Sequence, residues 1–109
     1  MSEQNAKTMN AEDIAQRIVQ VAHPQKVVLF GSRAKGQARN DSDWDILVIA
    51  ESKRPRHERA GPLYGALSDL RQPVDILVYT PAEVAEWKDV PQALVTTATR
   101  EGRILYEKS

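Results

Sequence analysis

Apolar and polar positions along the chain recur with the periods of both helices and strands. Apolar residues at helical spacing over 14–21 follow Asn10, which is suited to cap a helix, and they predict a first helix. His23-Pro24 should end this helix, because the residue before a proline is pushed out of the α region. Three short apolar runs then predict buried strands at residues 27–30, 44–50 and 74–79.

The remaining segments predict helices, a loop and one more strand. Ser32 is suited to cap a short helix that extends to about Ala38, with Gly36 limiting its length. Residues 51–59 are polar and contain a proline, which predicts an exposed loop. Further helices should open at Pro62, Pro81 and Pro91, with Gly102 ending the last one and residues 103–106 adding a short strand. The pattern predicts an α/β (α+β) fold, in which a small mixed sheet of three to four strands is flanked by helices.

Composition narrows the class of protein. The 109 residues favour a single domain spanning 1–109. The 15 basic and 15 acidic side chains give no net charge, which argues against direct nucleic-acid binding, since that needs a basic field. No apolar run approaches the ~20 residues of a membrane helix, and the absence of cysteine excludes disulfides and thiolate metal sites. We therefore expect a cytoplasmic protein without membrane contact.

Charge is unevenly distributed around the first two predicted strands. Residues 26–40 carry four basic side chains and no acid, and residues 41–45 then contain three aspartates. A solvated turn of mixed charge is the simplest interpretation. Strand geometry offers another, because side chains alternate across a strand. Asp43 and Asp45 would then point to one side of the sheet, and Trp44 to the other side under an apolar layer.

The third predicted strand begins as the second one does. Asp45 and Asp75 are each followed by Ile-Leu-Val. The connection between these strands, about 25 residues with one helix, fits a parallel crossover and would place both aspartates at the same edge of the sheet. If the first strand is antiparallel to the second, Gly31-Ser32 at its end reaches that edge as well.

Three carboxylates at one edge would repel one another, by about 4 kcal/mol for a pair 4 Å apart. The cluster therefore needs protonation, strong donors or cations. Oxygen-only ligands suit a hard ion, and magnesium is the first choice. Backbone N–H groups after Gly31 would form an anion site beside the ion. With Arg33 and Lys35 at its rim, this arrangement is typical of a nucleoside triphosphate site.

These residues resemble the signature of a known family. Segments 31–36 (Gly-Ser-Arg-Ala-Lys-Gly) and 42–48 (Ser-Asp-Trp-Asp-Ile-Leu-Val) are similar to those of nucleotidyltransferases with the DNA polymerase β-like fold. Segments 74–77 (Val-Asp-Ile-Leu) and 101–107 (Glu-Gly-Arg-Ile-Leu-Tyr-Glu) extend the resemblance to the minimal nucleotidyltransferase, or MNT, domain. Such proteins often act as antitoxins beside a separate HEPN-domain partner.

The resemblance implies a role for each matching position. It assigns nucleotide binding to Gly31, Ser32, Arg33 and Lys35, and it assigns catalysis and metal binding to Asp43, Asp45 and Asp75. In this scheme Asp75 also helps to deprotonate the attacking hydroxyl. Many relatives have arginine where this chain has Lys35, which keeps the charge but loses bidentate phosphate contact.

The reaction that the resemblance implies is nucleotidyl transfer with two Mg²⁺ ions. AMP would move from ATP to a hydroxyl of a partner protein, which the resemblance implies to be a HEPN-type toxin, and pyrophosphate would leave. Two alternatives stay open: a non-catalytic antitoxin that neutralises its partner by occupancy, and an aminoglycoside-type small-molecule transferase. The three aspartates favour an enzyme, and the lack of a second, acceptor-selecting domain disfavours a small-molecule acceptor.

Several residues outside the motifs are open to two interpretations. His57, with Arg56 and Arg59, is placed in a loop that either reaches a triphosphate or is simply solvated, the second being favoured. Trp87 is equally consistent with a core position and with a partner surface. Packing, rather than nucleophilic attack, is the expected role of Tyr64 and Tyr106.

Overall fold

The fold places a four-stranded mixed sheet between two pairs of helices. The computed structural model describes residues 9–36 and 43–108. The strands are β1 (Lys26–Phe30), β2 (Trp44–Ile49), β3 (Val74–Tyr79) and β4 (Arg103–Glu107). The helices are α1 (Ala11–Ala22), α2 (Gly61–Ala66), α3 (Pro81–Trp87) and α4 (Leu94–Glu101). This arrangement confirms the predicted class of fold.

The order of strands across the sheet is β3-β2-β1-β4. β1 is antiparallel to both β2 and β4, and β2 is parallel to β3. The pairing of β1 with β4 carries a bulge between Val27 and Val28. The parallel crossover expected from the length of the β2–β3 connection is therefore correct, and β1 has the antiparallel orientation that would bring Gly31-Ser32 to the same edge.

The first helix begins and ends where the sequence predicts. The Asn10 side chain accepts a hydrogen bond from the Asp13 N–H at 2.8 Å, and the Asp13 carboxylate accepts one from the Asn10 N–H at 3.2 Å. This reciprocal pair satisfies two N–H groups that a helix start otherwise leaves open. His23 takes a left-handed conformation with φ 47° and ends the helix ahead of Pro24.

Each face of the sheet covers its own apolar cluster. On one face, α1 and α2 pack on alternate residues of the strands, with Ile14, Ile18 and Ile46 fully buried. Trp44 belongs to this cluster and is 6% exposed, which confirms its predicted core position. On the other face, α3 and α4 cover a second cluster that contains Leu47 and Val95. We call these the α1/α2 face and the α3/α4 face.

Side chains close part of the outer edge of β3. The Tyr64 hydroxyl accepts a hydrogen bond from the Ile76 N–H at 2.9 Å. Arg59 donates to the Val78 carbonyl at 3.2 Å. Tyr64 is thus bound to the sheet, which agrees with a structural role.

The last helix differs from its predicted start. Residues after Pro91 form a turn closed by the Ala93 N–H on the Val90 carbonyl at 3.1 Å, and α4 begins only at Leu94. Gly102 ends α4 as predicted, although its backbone is extended, with φ −79°. A β-carbon at Gly102 would lie 2.5 Å from the Ala98 carbonyl oxygen, so the close approach of two backbones requires glycine here.

The helices in the described ranges were compared with the length and hydropathy of membrane-spanning helices. None of the helices there is long and apolar enough to cross a bilayer.

Candidate active site

Asp45 and Asp75 are direct neighbours across two parallel strands. The register pairs Asp45 of β2 with Asp75 of β3. Leu47 and Leu77, two residues further along each strand, pack in the cluster of the α3/α4 face. Because side chains two apart share a face, both aspartates point to the α3/α4 face. Two carboxylates therefore lie side by side at the edge where β2 and β3 begin.

Asp43 adds a third negative charge to this edge. It immediately precedes β2 and is exposed. Burial raises the pKa of Asp45, and the charges of Asp75 and Asp43 raise this pKa further. Asp45 thus interacts with both of the other carboxylates predicted from the sequence, as the alternation and the parallel crossover require.

The turn after β1 reaches the same edge. Phe30, the last residue of β1, pairs with Asp45, so Gly31 follows directly beside the aspartates. Gly31 has φ +77°, and a β-carbon built on it would overlap the Asp45 carboxylate. A glycine is required here for two reasons: the positive φ and the close approach of the carboxylate.

The segment after Gly31 is a turn where a short helix was predicted. The Lys35 N–H donates to the Ser32 carbonyl at 3.2 Å, and the Gly36 N–H donates to the Arg33 carbonyl at 3.4 Å. Gly36 then takes φ +72°, a conformation that cannot continue a helix. The predicted helix is therefore wrong for residues 32–36, and its last two positions, 37 and 38, lie outside the described residues. The turn leaves Ser32 and Lys35 exposed.

Arg33 is placed differently from the other residues of this turn. Its guanidinium carbon lies 4.0 Å from the centre of the Trp44 ring. Trp44 belongs to the α1/α2 face, whereas Asp45, the next residue, points to the α3/α4 face. The turn therefore contacts β2 twice, through Gly31 at Asp45 and through Arg33 at Trp44.

The donor set at this edge suits a hard cation. Carboxylate oxygens are the ligands that Mg²⁺ prefers. Within the described ranges, no three aspartate, glutamate, histidine or cysteine side chains are arranged to hold an ion by themselves. Mg²⁺ typically binds through one or two carboxylates, with water and substrate phosphates completing its shell. Asp45 and Asp75, with Asp43 beside them, fit that mode of binding rather than a closed protein cage.

The loop predicted over residues 51–59 lies at the end of the sheet opposite to the aspartates. Arg59 forms a bidentate ion pair with Glu83 of α3, at 2.6 and 3.1 Å, and its side chain is only 8% exposed. The guanidinium carbon of Arg56 lies 4.7 Å from the centre of the Tyr79 ring, at the end of β3. Asp75 is at the start of that strand, so these two arginines sit away from the aspartates.

Arg59 is the residue whose role the sequence did not reveal. It joins the loop to α3 and holds the pKa of Glu83 well below its ordinary value, at about 2, chiefly by hydrogen bonding. No spacing rule connects residues 24 positions apart in a loop and a helix, so the pattern of residues carried no signal for this pair. The His57 side chain is 79% exposed beside Glu58, as expected of a solvated position.

A Gly-Ser turn beside acids that open two parallel strands of a mixed sheet defines a nucleotidyltransferase fold. Residues 12–109 match the family described as "Polymerase beta, Nucleotidyltransferase", and the chain belongs to this family. A solved structure described as "Crystal structure of the toxin-antitoxin with AMP-PNP" is similar, with a TM-score of 0.53 and 23% identity. The match covers 92% of this chain and 76% of that one. No curated protein matches the chain.

Proposed function

We propose that this chain is a Mg²⁺-dependent nucleotidyltransferase that moves AMP from ATP to a hydroxyl group of a partner protein. The observation that carries the proposal is the pairing of Asp45 with Asp75 beside the Gly31 turn. Membership of the nucleotidyltransferase family supports the class of reaction. Protein as the acceptor and ATP as the donor are the specific parts of the proposal.

The three aspartates explain why a cation belongs at this edge. Burial, followed by the charges of Asp75 and Asp43, raises the pKa of Asp45, so a cation at this edge would offset the cost of its negative charge. A pure binding protein gains nothing from holding three repelling carboxylates, since like charges oppose folding. Mg²⁺ held by Asp43, Asp45 and Asp75 together with the nucleotide would supply charge neutralisation and a lower pKa for the acceptor hydroxyl.

The protein groups themselves position the reactants. Ser32 and the backbone of the Gly31 turn would bind the phosphates, and exposed Lys35 would neutralise part of their charge. The acceptor oxygen forms a bond to the α-phosphorus as the bond to the bridging oxygen breaks, and pyrophosphate leaves. Asp75 would take the proton of the acceptor hydroxyl. In phosphoryl-type transfer, a protein contributes mainly by positioning the reactants and compensating their charge.

A protein acceptor is consistent with the structural neighbour, which is a toxin–antitoxin assembly in complex with AMP-PNP. We infer that the partner of this chain is a toxin of the HEPN type, that the chain acts as its antitoxin, and that both are cytoplasmic. AMP-PNP has the adenosine triphosphate framework, which supports ATP as the donor.

Labelling of the partner tests the proposal. The chain is incubated with Mg²⁺, α-labelled ATP and the product of its neighbouring gene, which we expect to be a HEPN-domain protein. We expect label on the partner, and we expect Asp43→Asn to abolish it. Asp69→Asn is the matched control, since Asp69 is an exposed carboxylate paired with Arg17 at 2.6 Å and takes no part in the site. Labelling that persists in Asp43→Asn would refute the metal assignment.

Neutralisation by occupancy is the second candidate function. It is favoured by exposed apolar side chains on the α3–α4 segment, with Trp87 40% and Leu94 54% exposed. Trp87 is thus exposed at the surface and does not occupy the core position that its sequence context also allowed. If Asp43→Asn neutralises the partner as well as the wild type does, without labelling, occupancy is the function.

A further inference from the structure

We infer that Arg33 acts as a positioning residue, which fixes the Gly31–Gly36 turn against the start of β2 by stacking on Trp44, and that it is not a phosphate ligand. The inference deepens the proposed function and rests on it for the reaction. It revises the nucleotide-binding role that the family resemblance implies for Arg33.

Geometry is the first argument. The Arg33 guanidinium lies over the Trp44 ring, with 4.0 Å between its carbon and the ring centre. Trp44 is part of the buried cluster beneath α1 and α2, while the aspartates point to the other face of the sheet. A cation held on the α1/α2 face is turned away from phosphates bound at the carboxylates.

The environment of the Trp44 ring is the second argument. Its indole N–H is buried and has no hydrogen-bond partner among the described residues. The ring is therefore held by contacts with its faces, and Arg33 supplies one of them. Tryptophan is the most favourable ring for a cation–π contact, and arginine is the cation that most often makes one.

The third argument is that Trp44 connects the turn to the starts of two strands. The backbone N–H of Trp44 donates to the Pro73 carbonyl at 2.9 Å, just before β3 begins. Arg33, Trp44 and Pro73 thus link the turn to the starts of β2 and β3. These are the three segments that carry Ser32, Asp45 and Asp75. Loss of the stack should loosen their relative positions without removing any group that contacts the nucleotide.

Fluorescence of Trp44 tests the stack itself. The chain has two tryptophans, so Trp87→Phe leaves Trp44 as the single indole. In this background we expect Arg33→Gln to change the Trp44 emission, because the cation is removed from the ring. Lys35→Gln, an exposed position on the same turn, should leave the emission unchanged. Unchanged emission in Arg33→Gln would overturn the proposal.

Kinetics and binding test the positioning role. We expect Arg33→Gln and Trp44→Leu each to lower kcat about tenfold, with KM for ATP changed less than about twofold. The double variant should also lose about tenfold, not about a hundredfold, because both changes remove one interaction. Trp44→Phe, which keeps an aromatic face, should restore most of the kcat.

A phosphate ligand would behave differently. Arg33→Gln would then weaken equilibrium binding of Mg²⁺–AMP-PNP about tenfold or more, while Trp44→Leu would leave it unchanged, and this result would overturn the proposal. If Trp44→Leu does not fold, Arg33→Gln alone decides through its effect on AMP-PNP binding. If the wild type transfers no nucleotide, the proposed function fails, and emission and AMP-PNP binding still decide the role of Arg33.

Discussion

The α-carbon of Gly31 lies against the carboxylate of Asp45, and no β-carbon fits between them. Gly31 directly follows β1 and Asp45 is the second residue of β2, so the contact joins the turn to the carboxylate pair. The position of Asp45 therefore depends on the smallness of Gly31 as well as on its own strand.

Replacing Gly31 with alanine should displace Asp45. We expect transfer to fall about 10–100-fold, as when a metal-site support is lost, and unfolding free energy to fall by about 1–2 kcal/mol because of the positive φ. Gly36→Ala is the control: it has φ +72° but open space around a β-carbon. It should lose similar stability and keep transfer, so equal losses of activity in both variants would contradict this account. Labelling and thermal unfolding measure the two effects.

Asp45→Asn should stabilise the protein while it abolishes transfer. The pKa of Asp45 is raised by burial, then by Asp75 and Asp43. The ionised form of Asp45 therefore opposes folding. The stability of the wild type falls as pH rises from 3.8, the ordinary pKa of this group, through its higher pKa in the folded protein. We expect the variant to have the higher Tm at pH 7, with the difference vanishing near pH 3.

The sign of this effect separates Asp45 from an ordinary surface aspartate. The pKa of Asp69 is lowered, chiefly by its hydrogen bond from Arg17, so Asp69→Asn should not raise the Tm at pH 7. Added Mg²⁺ should raise the Tm of the wild type and leave that of Asp45→Asn unchanged. A lower Tm in Asp45→Asn at pH 7 would rule out mutual repulsion at this edge.

The ion pair between Arg59 and Glu83 should make the protein sensitive to acid. The pKa of Glu83 falls from 4.5 to about 2 on folding, so the pair stabilises fully above pH 4.5 and is lost as pH falls toward 2. We expect Glu83→Gln to lose about 1.5–3 kcal/mol of unfolding free energy at pH 7. The gap from the wild type should narrow below pH 4.5 and close as pH approaches 2 in denaturant titrations. Glu86→Gln, an exposed position on the same helix, should match the wild type at each pH.

Tyr64→Phe should weaken the sheet edge without affecting chemistry. It removes the acceptor of the Ile76 N–H, at a cost of about 0.5–1.5 kcal/mol. Faster hydrogen exchange of the Ile76 amide would report the loss directly. Partner labelling should be unchanged, because Tyr64 is a structural residue. Tyr106→Phe on β4 is the matched control and should leave the Ile76 amide protected.

Local patterns predicted the features on which the site depends. The alternation of side chains around Trp44 predicted that Asp43 and Asp45 point to one side of the sheet. The helical crossover predicted that Asp45 and Asp75 lie at the same edge. Both arguments need only the period of a strand and the length of a connection. The anion site after Gly31 was predicted from its place at the end of a strand, the role of Ser32 came from the family resemblance, and their use in binding a nucleotide remains a prediction.

The features that the sequence did not predict depend on backbone conformation at a glycine or on contacts between residues far apart in the chain. The helix predicted from Ser32 gives way to a turn because Gly36 takes a positive φ, which glycine allows but does not require. The Arg59–Glu83 pair and the Arg33–Trp44 stack each depend on where loops cross the finished sheet. Charge and residue type alone do not fix such pairings.

The pairing of Asp45 with Asp75 also guards against misfolding. Slipping β3 by one residue against β2 would turn every side chain of β3 to the opposite face. Asp75 would then enter the apolar layer under α1 and α2, where an unpaired carboxylate is strongly unfavourable. Asp75, which the proposed chemistry uses, therefore also penalises the wrong strand register. Replacing Asp75 with an apolar residue would remove that penalty.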